Sequence, residues 1–510
     1  MNYLIGFNKK FSDFSVNATV GGNRQRDITK QYGTDGGIRP FIISGLYSTS
    51  NVNSSTRTFA KDYSEYQVNS VYGTADLGYK DWLFLNFTGR NDWFSTLDPN
   101  NNSYFYPSVS LSWMLSDCFK LPEWVTTAKV RASLASASNG TSPYQTKLSY
   151  ALNNFNVQGQ SMGYISNSSV PNAYLKPVKI SEKEIGANAS FLNNRLGFDI
   201  AVYEKKTSDD IVQVSTSQTS GFGSAYRNIG EIRNRGLEFM VFGVPVSTKD
   251  FSWNTSFNLA YNNSKVLYLG DGVKSLTIDG AQSRSGQATI RNIVGDSYGE
   301  IVGYKYKTDA KGNRVYTSAG LPVRSDDVEV LGSGVYKWTG GFHNDFNYKN
   351  FTLSFLLDFK LGAKLFSGTN YSLYSSGLQK NTLNGREGGI TVTGVDANGN
   401  SFSKTGVNAQ TYWQSVIDNN ITEEFVYDAS FVKLRELTFG YNFPKSFLTS
   451  KMPFIKSLSF SLVGRNLWTI IKHTPNIDPE SAYNNSNGQG LELNGYPATR
   501  NVGFNLNVKF

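Results

Sequence analysis

Residues 351–361 read FTLSFLLDFKL. Phe351, Leu353, Phe355, Leu357, Phe359 and Leu361 fall on one face, and Thr352, Ser354, Leu356, Asp358 and Lys360 on the other. A period of two belongs to a strand and not to a helix. The segment is longer than the ~5–6 residues usual for soluble strands. It suits the roughly 9–11 residues with which a tilted strand crosses a bilayer. The same alternation recurs elsewhere. In KSLSFSLVGRNL, Leu458, Phe460 and Leu462 oppose Ser457, Ser459, Ser461 and Arg465. In WLFLNFTGR, Leu83, Leu85 and Phe87 stand beside Asn86 and Thr88. The last ten residues, NVGFNLNVKF, alternate Val502, Phe504, Leu506, Val508 and Phe510 with Asn501, Asn505, Asn507 and Lys509. The chain therefore stops on the aromatic of a strand.

The connections sort by length. Short polar ones fall at 8–10, 80–81, 193–194, 247–250 and 349–350, and middling ones at 117–126 and 443–456. Long stretches rich in Gly, Ser, Asn and Tyr cover 23–64, 139–181, 207–233, 264–334, 362–426 and 470–497. Short turns on one side and long loops on the other mark an outer-membrane barrel, with the turns in the periplasm and the loops outside. The expected fold is all-β, an antiparallel transmembrane β-barrel wall of about 15 strands. Within 264–334, YKYKTDAKGNRVYT predicts a small hairpin turning at 309–313.

Composition agrees with that reading. Charged residues make up 17% of the 510, against roughly 25% in soluble domains. Aromatics reach 14%, yet the mean hydropathy is only -0.36. A barrel strand has one oily face and one wet face, so it averages to moderate hydropathy, and aromatic girdles line both interfaces. Asp358, Lys360 and Arg465 are then expected to face the lumen. In lipid every backbone donor and acceptor needs a partner, which for strands requires closure into a barrel.

Charge and cysteine usage exclude other classes. The excess of 49 Lys and Arg over 40 Asp and Glu gives +9 spread along the chain. Nucleic-acid binding calls for clustered bases, and no such run occurs. Cys118 is the only cysteine, so no disulfide forms within the chain. With only His343 and His473 besides, zinc sites of Cys and His are excluded, and no metal or cofactor is expected. No apolar run is long enough for a spanning helix. The start, MNYLIGFNKKFSDFSV, does not read as a signal peptide, because its lysines follow the apolar run.

Catalytic signatures are lacking: there is no GxSxG, HExxH or P-loop, and no enzyme activity is expected. DANGNS from Asp396 resembles the start of a calcium loop. It carries Ser401 where that loop needs Gly and Val407 where it needs Glu, so a polar hairpin turn is expected instead. His473 and the pairs Asp326-Asp327 and Glu423-Glu424 sit in loops, where solvated charge is the default. Loop aromatics are the candidate binding residues: Tyr371 and Tyr374 in TNYSLYSSG, and Tyr412 and Trp413 in AQTYWQS. Flat rings with a polar edge suit contacts to sugars or to a partner protein. The competing reading makes them girdle or loop-core residues.

Several ordered motifs then carry a resemblance. DASFVKLRELTFGYNFPKSFL, KSLSFSLVGRNLWTI, NIDPES and GYPATRNVGFNLNVKF together resemble the end of SusC/RagA-type TonB-dependent outer-membrane transporters of Bacteroidetes. Asn466-Leu467, Asp478-Pro479-Glu480 and Tyr496-Pro497 stand where that family has its near-terminal motifs. KVRASLASASNG at 129–140, VYEKKTSDDIV at 202–212 and EIRNRGLEF at 231–239 extend the likeness over nearly the whole chain.

The resemblance implies an integral protein of the Gram-negative outer membrane. Its parent would import an oligosaccharide or peptide with energy from TonB, and a SusD-like lipoprotein would cover the outside loops. Phe510 resembles the terminal aromatic by which such barrels are recognised for assembly. Family members have a signal peptide, a TonB box, a plug domain and about 22 strands. Residues 1–510 are accordingly expected to be the C-terminal part of a larger barrel, without plug, TonB box or signal peptide, and with an unpaired sheet edge. The alternatives from other classes are a passive porin or adhesin barrel, and a soluble extracellular glycan-binding β protein.

Overall fold

The computed structural model describes residues 1–35, 41–52, 58–283, 285–481, 488–496 and 498–510. Pro497 of the Tyr496-Pro497 motif and parts of the loops at 23–64, 264–334 and 470–497 lie outside the described residues.

Fifteen strands form one sheet, as the alternation predicts, paired in chain order. They are β1 (Asn2–Phe11), β2 (Phe14–Asp35), β3 (Thr58–Tyr79), β4 (Leu83–Phe94), β5 (Ser103–Met114), β6 (Val125–Asn139), β7 (Val178–Phe191) and β8 (Leu196–Ser208). There follow β9 (Glu231–Ser247), β10 (Phe251–Tyr268), β11 (Trp338–Tyr348), β12 (Phe351–Leu361), β13 (Phe431–Asn442), β14 (Ser457–Lys472) and β15 (Asn501–Lys509). At the short-turn end, turns of two to four residues join neighbouring strands at 12–13, 80–82, 192–195, 248–250 and 349–350. Lys80 and Asp81, Asn193 and Asn194, and Lys349 take the positive φ that such turns demand. Among the described residues β1 pairs only with β2, and β15 only with β14, so each leaves one edge open.

By internal contacts the chain divides into two units. The first comprises Met1–Ser112, Ser133–Glu182 and Thr207–Ile229. Here two expectations are corrected. The first turn lies at Ser12 and Asp13 rather than at 8–10: Phe11 pairs with Phe14, and Lys9 with Val16. The aromatic end of the strand pair sets this register, since Phe14 packs on Tyr79 at 4.8 Å and Tyr79 on Trp82 at 5.4 Å. The stretch 23–64 is also not simply a loop. β2 and β3 stay paired from Phe14 opposite Tyr79 to Asp35 opposite Thr58. Two further loops of this unit hold strands of their own, including the hairpin of Tyr150–Val157 with Gln160–Ile165. A small core of Phe94, Leu97 and Leu175 is packed with Val68, Ile211 and Tyr226.

The second unit comprises Trp113–Ala132, Lys183–Lys206 and Gly230–Phe510. β12 shows the expected faces: Phe351, Leu353 and Leu361 are exposed on the apolar side, as a lipid-facing row must be. At the turn end, Phe351 meets Tyr441 at 4.9 Å and Tyr441 meets Phe443 at 5.1 Å. At the other end Tyr261 packs on Trp338 at 4.5 Å. Phe251 and Tyr261 share a face, and the ten steps between them rise roughly 34 Å along the strand. At the usual tilt that spans about 25 Å, the height of a lipid-facing band. β15 pairs with β14 from Ser457 opposite Lys509 to Arg465 opposite Asn501. Phe510 follows it, exposed, with its ring stacked on Phe454 at 6.5 Å.

Candidate functional site

The long connections of the second unit fold into a compact assembly. Segments Ser275–Gln282, Thr289–Ile293, Glu300–Gly303 and Glu329–Ser333 make one four-stranded sheet. The turns at 309–313 and 396–400 are built alike. Asp309 and Asp396 each accept from the backbone N–H groups two and four residues on, at 2.8–2.9 Å. The expected hairpin turns are thus present, held by an aspartate side chain.

Two helices carry the candidate aromatics. Gly368–Ser375 begins at Ser367, whose hydroxyl accepts from the Asn370 N–H at 3.0 Å. Buried Glu492 lies at the same end. It accepts from Ser367 Oγ and Thr369 N at 3.0 and 2.9 Å, and from Thr369 Oγ1 at 2.7 Å. A carboxylate there satisfies helix N–H groups and complements the helix dipole. The second helix, Ala409–Asp418, is capped by Asn408, which accepts from the Thr411 N–H at 2.9 Å. Its buried face is Ala409, Tyr412 and Val416, the i, i+3, i+7 row that amphipathic packing requires.

The structure brings all four predicted aromatics together but gives them different surroundings. Tyr371 packs edge-on to Phe425 at 5.5 Å, and Tyr374 does so at 5.3 Å. Trp413 meets Tyr374 at 4.9 Å and Tyr412 at 5.0 Å. Tyr374 and Tyr412 are buried within the loop core that also contains Phe366, Val416, Ile421 and Phe425. Trp413 is half-buried and, with Tyr374, borders a cleft of about 510 Å³. Arg386, Asn408, Gln410 and Gln414 supply its polar lining. The Trp413 indole N–H is itself buried and has no hydrogen-bond partner among the described residues. Tyr371 and Tyr412 do not line this cleft.

Beneath the rings lies a carboxylate that was expected to be solvated. Glu424 accepts from the phenols of Tyr306 at 2.9 Å and Tyr374 at 3.0 Å, and Asn381 donates to the Tyr374 oxygen at 3.0 Å. Burial, and then the Glu424 charge, push both phenols well above their ordinary range, so they remain donors. The Arg314 guanidinium lies 3.7 Å from the Tyr306 ring centroid. Glu424 is thus a structural anchor of the loop core.

A second cluster was missed as a unit, although its members are the quoted motifs. Lys433 is almost fully buried. Its ammonium donates to Asp478 Oδ1 and Oδ2 at 2.7 and 2.9 Å and to Glu480 Oε2 at 2.7 Å. Arg435 stands at a bulge in the pairing of β13 with β12 and β14. It donates to Asp358 through Nε at 2.9 Å, to Glu480 at 2.7 Å and to Asn466 Oδ1 at 2.9 Å. Asn466 takes φ +52°, which lets β14 bulge and aims its amide at Arg435. Lys360 reaches Glu480 Oε1 at 3.0 Å, and the Tyr336 hydroxyl donates to the Pro479 carbonyl at 3.0 Å. Burial acts to raise the Glu480 pKa. Hydrogen bonds from Lys433, Arg435 and Lys360 outweigh it and hold the carboxyl at about 2. Of the charges expected to face the lumen, Asp358 and Lys360 join this knot. Arg465 instead pairs with Glu436 at 2.9 Å, exposed. The knot ties the loop after β14 to the sheet.

An apolar strand face bounded by aromatic rows, short turns at one end and folded loops at the other define the wall of an outer-membrane β-barrel. Comparison with known proteins gives the family. The model of the TonB dependent receptor-like β-barrel matches residues 2–467, and the chain belongs to that family. It is therefore an outer-membrane protein, and the soluble alternative falls. TonB-dependent receptor P3 of Formosa agariphila is 29% identical over 100% of this chain and 52% of its own length. TonB-dependent receptor SusC of Bacteroides thetaiotaomicron is 24% identical over 86% of this chain and 43% of its own. The solved RagAB peptide transporter has the same fold, with a TM-score of 0.78 at 21% identity, covering 100% of this chain and 55% of that one. The chain spans about half the length of the curated relatives it matches.

Proposed function

We propose that these 510 residues are the C-terminal barrel portion of a SusC/RagA-type transporter that imports an oligosaccharide or peptide with energy supplied through TonB. Family membership supports the transport class, and the likeness to SusC and to the RagAB peptide transporter supports the nutrient class. On this reading the plug, TonB box and signal peptide belong to the part of the protein outside these residues. The length of the relatives is consistent with that. A SusD-like lipoprotein covers the loops, and substrate is held between it and the cleft beside Trp413. Tyr371, Tyr374 and Tyr412 act mainly by keeping that wall rigid.

The observation that carries the site is a half-buried indole ring bordering a polar cleft on folded loops. Uptake by the full-length protein in a strain deleted for its own copy tests the proposal. Growth on the cognate oligosaccharide or peptide is expected to need TonB and to fall with Trp413→Ala. Growth that persists without TonB would reject import of this kind and favour a passive porin. The 510 residues expressed alone are expected to give no uptake.

A further inference from the structure

In the second unit the outward face changes character at one level. Leu237 lies opposite Tyr261, and Tyr261 opposite Trp338. On the turn side of that row the same face carries Phe239 opposite Leu259 and Val241 opposite Phe257. On the loop side come Arg235 opposite Asn263, then Arg233 opposite Lys265. Glu204 and Lys206 of β8 belong to the same face, because Arg235 pairs with Glu204 at 2.5 Å and Lys206 with Glu231 at 2.7 Å. Glu184 of β7 is turned to Arg131, which also holds Asp199. Strand alternation therefore puts Lys183 and the exposed Ile185 on the outward face. Lys183 and Arg233 both lie in reach of the Glu204 charge.

Five cations thus face outward against two carboxylates, within a few residues of the aromatic row. Lys183, Arg233 and Lys265 have no carboxylate partner among the described residues. The inward face of these strands carries Glu184 and Asp199, both paired with Arg131, and Glu238, which lines one cavity with Asp199. Charge is segregated by face, which solvation alone does not require. Residues just beyond an aromatic girdle sit at headgroup depth. Long basic side chains there keep their stems on the apolar band and their heads at the interface, and guanidinium and ammonium groups pair with phosphate.

We propose that this patch binds the phosphorylated headgroup of an outer-leaflet lipid, with Lys183, Arg233 and Lys265 as its free donors. The site needs only that the sheet spans the outer membrane, and does not depend on the imported nutrient.

The test uses full-length protein extracted from its own outer membranes in mild detergent, with native mass spectrometry to measure bound lipid. The probes are purified bis-phosphorylated lipid A and the same lipid after enzymatic dephosphorylation. Wild type is expected to bind the phosphorylated form and to keep it under excess inorganic phosphate. The triple variant Lys183→Ala, Arg233→Ala, Lys265→Ala is expected to bind it on the order of 100-fold more weakly. A charge-conserving triple, Lys183→Arg, Arg233→Lys, Lys265→Arg, should retain binding, and unchanged heat-modifiable migration on gels shows that both variants fold. The proposal is overturned if the alanine variant binds within about threefold of wild type or if the dephosphorylated lipid binds equally well. Displacement of the lipid by inorganic phosphate, or loss of a co-purifying protein in place of lipid, would overturn it too.

Discussion

Replacing Lys433 by Met should loosen the loop after β14 without disturbing the sheet. Lys433 is 3% exposed, and its ammonium makes three charge-assisted contacts of 2.7–2.9 Å to Asp478 and Glu480. Glu480 would keep Arg435 and Lys360. Asp478 would keep only neutral partners, among them the Glu480 N–H at 2.8 Å. Removing one partner of a buried ion pair costs about 3–5 kcal/mol. Because Glu480 is not stranded, ~3 kcal/mol is the expected value here. The control is Arg465→Ala, which breaks an exposed pair with Glu436 and should cost under about 1 kcal/mol. Hydrogen exchange of the amides at 474–481, in detergent, reads local opening directly. Three kcal/mol corresponds to roughly 150-fold faster exchange there, with no change in the amides of β12. Pairing Lys433→Met with Asp478→Leu should recover most of the loss, since no unpaired charge remains. Exchange in Lys433→Met that matches Arg465→Ala would refute the claim that the knot holds this loop.

Acid should act on the same loop. Glu480 is held at about 2 against a usual 4.5, so its stabilisation is complete above pH ~4.5 and is lost as pH falls toward 2. The difference is worth ~3 kcal/mol and should appear as faster exchange at 474–481 below pH ~4.5. Glu300 behaves oppositely. Burial, and then repulsion from Asp296, push its carboxyl up to about 7. The sheet containing it is then most stable in acid and weakens as pH rises from ~4.5 through 7. Glu300→Gln should abolish that dependence, as read by proteolysis of the 275–333 segment at pH 5 and pH 8. Asn466→Ala should destabilise β14 by ~1–3 kcal/mol in chemical melts, because it combines positive φ with loss of the Arg435 contact. Asn466→Gly should recover the backbone part only. Trp413→Ala should weaken substrate binding by about tenfold in titration calorimetry, whereas Tyr371→Phe leaves it unchanged.

Much of the wall was legible because lipid imposes a strict pattern. Each strand from β9 to β12 keeps its oily face in register, and the turns between them show as short polar breaks. That signal ends where the membrane ends. In β2 beyond Asn23, Arg24 and Arg26 occupy the face that Val16 and Val20 hold lower down, so the extension reads as loop although its backbone stays paired to Asp35. The turn at Ser12 and Asp13 was displaced for a related reason: Asn8, Lys9 and Lys10 look like a break, but Phe11 and Phe14 complete the aromatic end. The four candidate aromatics fall together in the structure. Their sorting into core and cleft depends on helix faces and on Glu424, which is brought to Tyr306 across 118 residues of chain. The knot of Lys433, Arg435, Asp478 and Glu480 was visible only as separate motifs. Nothing in spacing pairs residues 45 positions apart on a strand and a loop.

Thiol labelling in intact cells tests most directly that this sheet spans the outer membrane with its folded loops outside. Cys118 is the only cysteine, so in a Cys118→Ala background a single cysteine can be placed at will. Gly399→Cys, at the open hairpin tip, should react with a membrane-impermeant maleimide on whole cells. Asn193→Cys, in a short turn, should react only after the outer membrane is breached. Labelling of both positions in intact cells, or of Asn193→Cys alone, would contradict the account.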